Sequence, residues 1–222
     1  MARKRQAPGG GTAVEVEPER LERWFDRFAD RNDGVEHTDL SPRQVRVRGG
    51  NGVVATVTVP FEPLPVEPDT RHDGLAVDVL VEHVCKPRRI GLLLVRLGAH
   101  SVGVAEEGRV VASRTDRHLV HGRSAAGGWS QQRFARRRSG QARQALRAAA
   151  DDAVDVLGGR VAELDAVVLG GDRRALDELR QDHRLGDLFA KAEPRVLDVA
   201  EPRRSVLDEA AERVRFVEVV IR

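Results

Sequence analysis

The first regular pattern along the chain is Leu21, Trp24, Phe25 and Phe28, apolar at helical spacing among charged residues, which predicts a helix over 18–29. Pro18 suits its first turn and Asn32-Asp33-Gly34 stops it. The period then changes to two. Residues 45–48 and 53–59 alternate, are rich in Val and Thr, and are joined by Gly49-Gly50-Asn51-Gly52, so they predict a hairpin. Four prolines make 60–68 an extended connector, and 75–84 reads as a helix ended by Pro87. Ahead of all this, residues 1–13 combine basic side chains with Pro8-Gly9-Gly10-Gly11 and read as a flexible basic tail.

From Arg89 the pattern is different. Residues 90–97 form a continuous apolar run of the buried-strand type. Residues 101–105 and 110–113 predict a meander turning at Glu106-Glu107-Gly108, and a fourth strand is expected over about 117–121. After the Gly-rich stretch 122–128, a long helix is predicted over roughly 130–157. Its inner face is Phe134, Ala142, Ala145, Leu146, Ala149, Ala153, Val156 and Leu157. Gly140 in mid-helix costs roughly 1 kcal/mol relative to Ala and marks a possible break. Strands follow at 166–169, 196–199 and 215–221, with helices from about 173 and over 205–213. Antiparallel strands followed by alternating helix and strand predict an α/β (α+β) protein: a mixed β-sheet with packed helices, and a small α+β N-terminal extension. The domains expected are 14–87 for the small N-terminal region and 88–222 for the larger one.

Composition narrows the class. The chain has 222 residues, 41% hydrophobic and 32% charged, with 37 Lys+Arg against 35 Asp+Glu, values of a globular rather than a disordered protein. A single cysteine, Cys85, excludes an internal disulfide framework and a Cys-only zinc site. No apolar run approaches the ~18 residues of a membrane span. The basic start is followed by polar residues 6–12 and not by an apolar segment, so it does not read as a secretory signal. The expected location is cytoplasmic, with no membrane partner.

The near-neutral total hides an asymmetry. Residues 114–147 carry nine Arg and one acid, Asp116. A local positive field of that kind suits nucleic acid; a solvated helix face that is merely Arg-rich is the alternative. Only three of the basic residues are Lys (Lys4, Lys86, Lys191), so arginine identity alone carries little functional weight.

Inside that window lies the segment with the most chemistry: His121-Gly122-Arg123-Ser124-Ala125-Ala126-Gly127-Gly128-Trp129-Ser130-Gln131-Gln132-Arg133-Phe134-Ala135-Arg136-Arg137-Arg138. Glycines let a backbone approach a substrate closely, and the helix start beyond them offers free N–H groups to a phosphate or an oxyanion. Trp129 either stacks on a base or anchors the loop. Gln131 and Gln132 donate and accept hydrogen bonds, so they can orient a water, but they are poor proton acceptors. Any catalysis here rests on positioning and electrostatics. Other templates fail. The phosphate-loop pattern G-x-x-x-x-G-K-[ST] is absent, Ser130 lacks the G-x-S-x-G frame, and His100, His118, His121 and Cys85 lack zinc-ligand spacing. Gly170-Gly171-Asp172 reads as a turn before a helix, with Asp172 as its N-cap.

These residues resemble the middle domain of eukaryotic and archaeal peptide-chain release factors, whose pattern is close to H-G-R-G-G-Q-S-x-x-R-F-A-R-x-R. His121-Gly122-Arg123, Gly127-Gly128, Ser130, Arg133-Phe134-Ala135-Arg136 and Arg138 carry the match. It extends outward to residues 90–104 and to 166–171, and so covers about 88–222. Ser124-Ala125-Ala126 is an insertion, and Trp129 occupies the family's glutamine position, with glutamines two and three residues later. The displaced Gly-x-Ser-Gln is similar to the Vms-like release factors, the actinobacterial branch most of all.

The resemblance implies a ribosome-rescue peptidyl-tRNA hydrolase acting on stalled large ribosomal subunits, at the peptidyl-transferase centre. It implies that Gln131 or Gln132 places the water, with Gly127, Gly128 and Ser130 shaping the loop. Arg123, Trp129, Arg133, Arg136, Arg137 and Arg138 would contact RNA, with no metal or other cofactor required. The chain is too short to hold stop-codon-reading and GTPase-partner domains as well, which points away from stop-codon-dependent termination. Two other readings stay open: an endonuclease cutting tRNA near its 3′ CCA end, and a non-catalytic RNA-binding module. The sequence does not specify an oligomeric state.

Overall fold

The computed structural model describes residues 4–96, 98–117 and 129–222, the side chains of 129–139 excepted. In chain order the elements are β1 (Lys4–Gln6), β2 (Thr12–Val16), α1 (Leu21–Arg31), β3 (Val35–Leu40), β4 (Gln44–Gly49), β5 (Val54–Thr58), β6 (Thr70–Asp73) and α2 (Asp78–Cys85). There follow β7 (Arg89–Arg96), β8 (Ala99–Glu106), β9 (Arg109–Arg117), α3 (Trp129–Leu157), β10 (Ala166–Gly171), α4 (Arg173–Leu179), α5 (Gly186–Ala190), β11 (Ala192–Leu197), α6 (Arg204–Arg213) and β12 (Val217–Ile221). They divide into two compact units, 1–87 with 215–222, and 88–214.

The first unit is a seven-stranded sheet in the order β1-β2-β12-β5-β4-β3-β6. Its pairings are antiparallel, and one face is apolar. Val45 and Val47 on β4, Ala55 and Val57 on β5, and Val217 and Val219 on β12 are all fully buried, while Arg46 and Arg48 are exposed. Helix α1 lays Leu21, Phe25 and Phe28, one turn apart, into the same core, with Trp24 stacked on Phe28 at 5.9 Å. Burying such side chains contributes about 1.5–3 kcal/mol each.

Two expectations are corrected here. The basic tail is not free along its length: Lys4–Gln6 pairs antiparallel with Thr12–Val16. The turn between them uses Gly9, Gly10 and Gly11, all at positive φ, a conformation that glycine adopts without penalty. The last strand does not extend the second unit. Val217–Ile221 inserts between β2 and β5 of the first, because its alternating Val217 and Val219 fill that core.

The second unit is a five-stranded mixed sheet, β11-β10-β7-β8-β9, with β10 parallel to both β7 and β11 and the rest antiparallel. Alternation on β8 turns Val102 and Val104 toward α3, where Ala149, Ala150, Ala153 and Leu157 meet them. It sets Gly103 against Leu207 of α6, so closely that a β-carbon there would lie 2.9 Å from that side chain. The result is helix, sheet, helix. Helix α3 runs unbroken through Gly140, since the buried face further along holds it. Of the expected fourth strand only Arg117 is described, as the last residue of β9; residues 118–121 lie outside the described ones.

No described helix is long and apolar enough to cross a membrane.

Candidate functional site

Helix α3 carries the residues singled out by sequence. Its C-terminal half is fixed to the sheet by polar contacts as well as by its alanines. His100 on β8, 1% exposed, places Nε2 2.9 Å from Oδ2 of Asp152. Arg114 on β9 donates to Asp152 at 3.0 Å and to Asp155 at 2.6 Å. Arg184 reaches Asp151 at 2.7 Å. Burial pushes the Asp152 carboxyl up, but the hydrogen bonds from His100 and Arg114 outweigh it and hold the group below its ordinary range. Arg160 donates to the carbonyl of Val156 at 2.7 Å, satisfying a group at the helix end.

From Ala145, the first buried residue among those described on this helix, the helix extends sixteen residues back to Trp129. At 1.5 Å per residue that is about 24 Å of rod. Trp129 opens it, rather than standing in the loop as expected. The segment from Trp129 to Gln132 has no glycine, proline or β-branched residue to delay the helix. Gln131 and Gln132 therefore sit in the first turn with Trp129 and Ser130. The N–H groups at the start of an α-helix have no intrahelical acceptor, and here Trp129, Ser130 and Gln131 hold such positions. A helix start with free donors and a positive dipole end suits an anion or a developing oxyanion.

Arg123, Gly127 and Gly128 lie outside the described residues, as do the insertion and His121. Arg133, Arg136, Arg137 and Arg138 follow on the second and third turns of α3, their side chains outside the description. By the helical repeat, position 136 falls in one row with 143 and 147, and Arg143 and Arg147 are exposed. A cationic row of that kind suits a polyanion.

Sequence reading missed the network behind the helix. His100 drew attention only as a failed zinc ligand, and Asp152 not at all. An acidic residue on the apolar flank of a helix, between Ala149 and Ala153, was the available signal. Asp172 behaves as expected, accepting from the N–H of Arg174 at 2.9 Å as N-cap of α4. Among the described residues no group of His, Cys, Asp and Glu has the arrangement of a metal site.

A family model described as "Actinobacteria/chloroflexi VLRF1 release factor" matches residues 88–220, more than half of the chain. The chain belongs to that release-factor family. The matched span contains the whole of the second unit and the segment 121–138. No curated protein matches the sequence.

Among solved structures, an archaeal translation termination factor, aRF1, is 14% identical, with 90% of this chain and 73% of that one covered and a TM-score of 0.44. Saccharomyces cerevisiae Dom34, described as a translation termination-like factor involved in RNA quality control pathways and interacting with Hbs1, is 10% identical, with coverage of 94% and 65% and a TM-score of 0.35. Archaeoglobus fulgidus Pelota is 13% identical, with coverage of 96% and 66% and a TM-score of 0.32. This chain spans about two thirds of each of the last two. The family assignment rests on the family match and not on these likenesses.

Proposed function

We propose that this member of the family is a peptidyl-tRNA hydrolase of ribosome rescue, acting in the cytoplasm on peptidyl-tRNA held by a stalled large ribosomal subunit. The observation that carries the reading is the junction of Gly127-Gly128 with Trp129-Ser130-Gln131-Gln132, where a glycine pair runs directly into the first turn of α3 in a release-factor chain.

Gln131, through its side chain or its free N–H, holds a water against the carbonyl carbon of the ester joining the nascent chain to the tRNA. The water oxygen bonds to that carbon, the bond to the ribose 3′-oxygen breaks, and the proton ends on the 3′-oxygen. Glutamine stays neutral throughout and contributes position, which can be worth a hundredfold or more in rate. Gln132 is the neighbouring candidate, and Ser130 and the glycines shape the approach. Arg123, Arg133, Arg136, Arg137 and Arg138 hold RNA phosphates, and Trp129 stacks on a base. No metal enters this scheme.

Product analysis tests it. Purified large subunits carrying peptidyl-tRNA are incubated with the protein, and both halves of the substrate are sized. Free peptide with intact tRNA is expected. A peptide that keeps a short nucleotide tail would identify an endonuclease instead, and uncleaved substrate on a bound complex would leave only an RNA-binding module.

A further inference from the structure

We infer that the second unit holds a separate binding site for the guanine base of an unpaired nucleotide, in a cavity between α3 and α4. The cavity, of about 220 Å³, opens at the carboxyl ends of the parallel strands β7 and β10. Ligands of α/β sheets gather at such strand ends, where diverging connections leave a crevice. Its volume is below the roughly 300 Å³ at which sites for larger ligands begin, so it takes one heterocycle and leaves the sugar and phosphate outside.

The walls suit a flat ring. Ala142 and Ala145 of α3 and Ala175 of α4 line it with small apolar surfaces, and Leu146 closes one side. His100 also lines it, buried and held by Asp152, so that part of the wall is fixed.

The polar side names the base. Arg174 and Glu178, four residues apart on α4, both line the cavity. Opposite charges at this spacing commonly close on one another, less so with the cation first, as here. Neither forms an ion pair among the described residues, and both side chains are exposed to the cavity mouth. A guanidinium offers paired donors and a carboxylate paired acceptors. Guanine matches both: O6 and N7 accept, and the adjoining N1–H and N2–H₂ donate. In the same pose adenine presents an amino group where guanine has O6 and has neither the N1 proton nor the N2 amine, so Arg174 keeps only the N7 contact and Glu178 loses its paired donors.

The site lies eleven residues along α3 from Gln131, about 16 Å, and uses none of the residues proposed for hydrolysis.

The test uses the full chain, isotope-labelled for NMR, titrated with GMP, with AMP, with an oligoadenylate carrying one guanosine, and with the plain oligoadenylate. GMP is expected to shift the resonances of Ala142, Ala145 and Ala175 and to bind about tenfold or more tightly than AMP. Glu178→Gln, a change at an exposed position that keeps the shape, should remove that preference. Guanosine-dependent oligonucleotide binding that GMP competes away would identify RNA as the source of the base; a response to GMP alone would identify a free nucleotide. Equal affinity for GMP and AMP, shifts confined to other residues, or a preference that survives Glu178→Gln would overturn the proposal.

Discussion

His100 on β8 and Asp152 on α3 face each other across 2.9 Å, and this contact ties the long helix to the sheet that carries it. The ring is buried, and Asp152 also accepts from Arg114. Asp152→Ala removes both partnerships and leaves a buried ring nitrogen without its carboxylate, a loss of roughly 1–3 kcal/mol. Arg114→Ala removes an arginine that is 53% exposed, and should cost less, because solvent screens such a pair. Urea unfolding of the two variants checks the order. Equal losses would show that the His100 contact contributes nothing of its own.

Acid stability has an identifiable source in Asp182. The Arg184 guanidinium, with its backbone N–H, lowers the Asp182 carboxyl from 3.8 to about 2 against the opposing effect of burial. A carboxylate depressed in the folded state contributes stability that is complete above its unfolded value and is lost as the pH falls through the folded one. The contribution of Asp182 is therefore present at neutral pH and fades between about 4 and 2. NMR titration should find its midpoint near the lower value, and Arg184→Ala should move it toward 3.8. A midpoint unmoved by that substitution would refute the assignment.

Gly171 closes β10 at a φ of +100°, where a β-carbon would stand 2.1 Å from the Val95 carbonyl oxygen. Gly171→Ala should destabilise the second unit by more than about 1 kcal/mol, through strain and collision together. Gly140→Ala is the contrast: with open space around the added carbon and a helical backbone, it should stabilise by about 1 kcal/mol. Thermal melts of both variants decide, and a stabilised Gly171→Ala would contradict the close pairing of β7 and β10.

Much of this fold was legible in the chain. The 3.6-residue period of Leu21, Phe25 and Phe28, the alternation of Val45 and Val47, and the apolar run of β7 are local signals that tertiary packing reinforces. What escaped was non-local. Strand β3 is mostly polar (Val35-Glu36-His37-Thr38-Asp39-Leu40), and β6 (Thr70-Arg71-His72-Asp73) has no apolar residue at all, so neither shows a periodic signal until it is paired. The return of β12 to the first unit depends on its neighbours β2 and β5, about 200 and 160 residues earlier. The candidate site was legible as a motif, Gly-Gly-x-Ser-Gln before a basic helix. The anchoring of that helix through His100, Arg114 and Asp152 joins positions that no spacing rule connects.

The arginines after the motif make a further prediction. Reversing Arg136, Arg137 and Arg138 to Glu should weaken binding to the large subunit or to tRNA and flatten its dependence on salt, because fewer counterions are released from the RNA. Binding measured over a range of salt concentrations gives the slope. Unchanged affinity and slope would place RNA elsewhere on the protein.

The most direct measurement is single-turnover cleavage of peptidyl-tRNA on stalled large subunits by the parent protein, Gln131→Ala and Gln132→Ala, with binding followed in parallel. The parent should release free peptide. Gln131→Ala should bind as the parent does yet lose about a hundredfold or more in rate, a loss of the size expected for one positioning group in a transition state; Gln132→Ala should lose less. Loss confined to Gln132→Ala would move the role by one residue. Cleavage at the parent rate by both variants, or no peptide release by the parent, would contradict a hydrolase working through the start of α3.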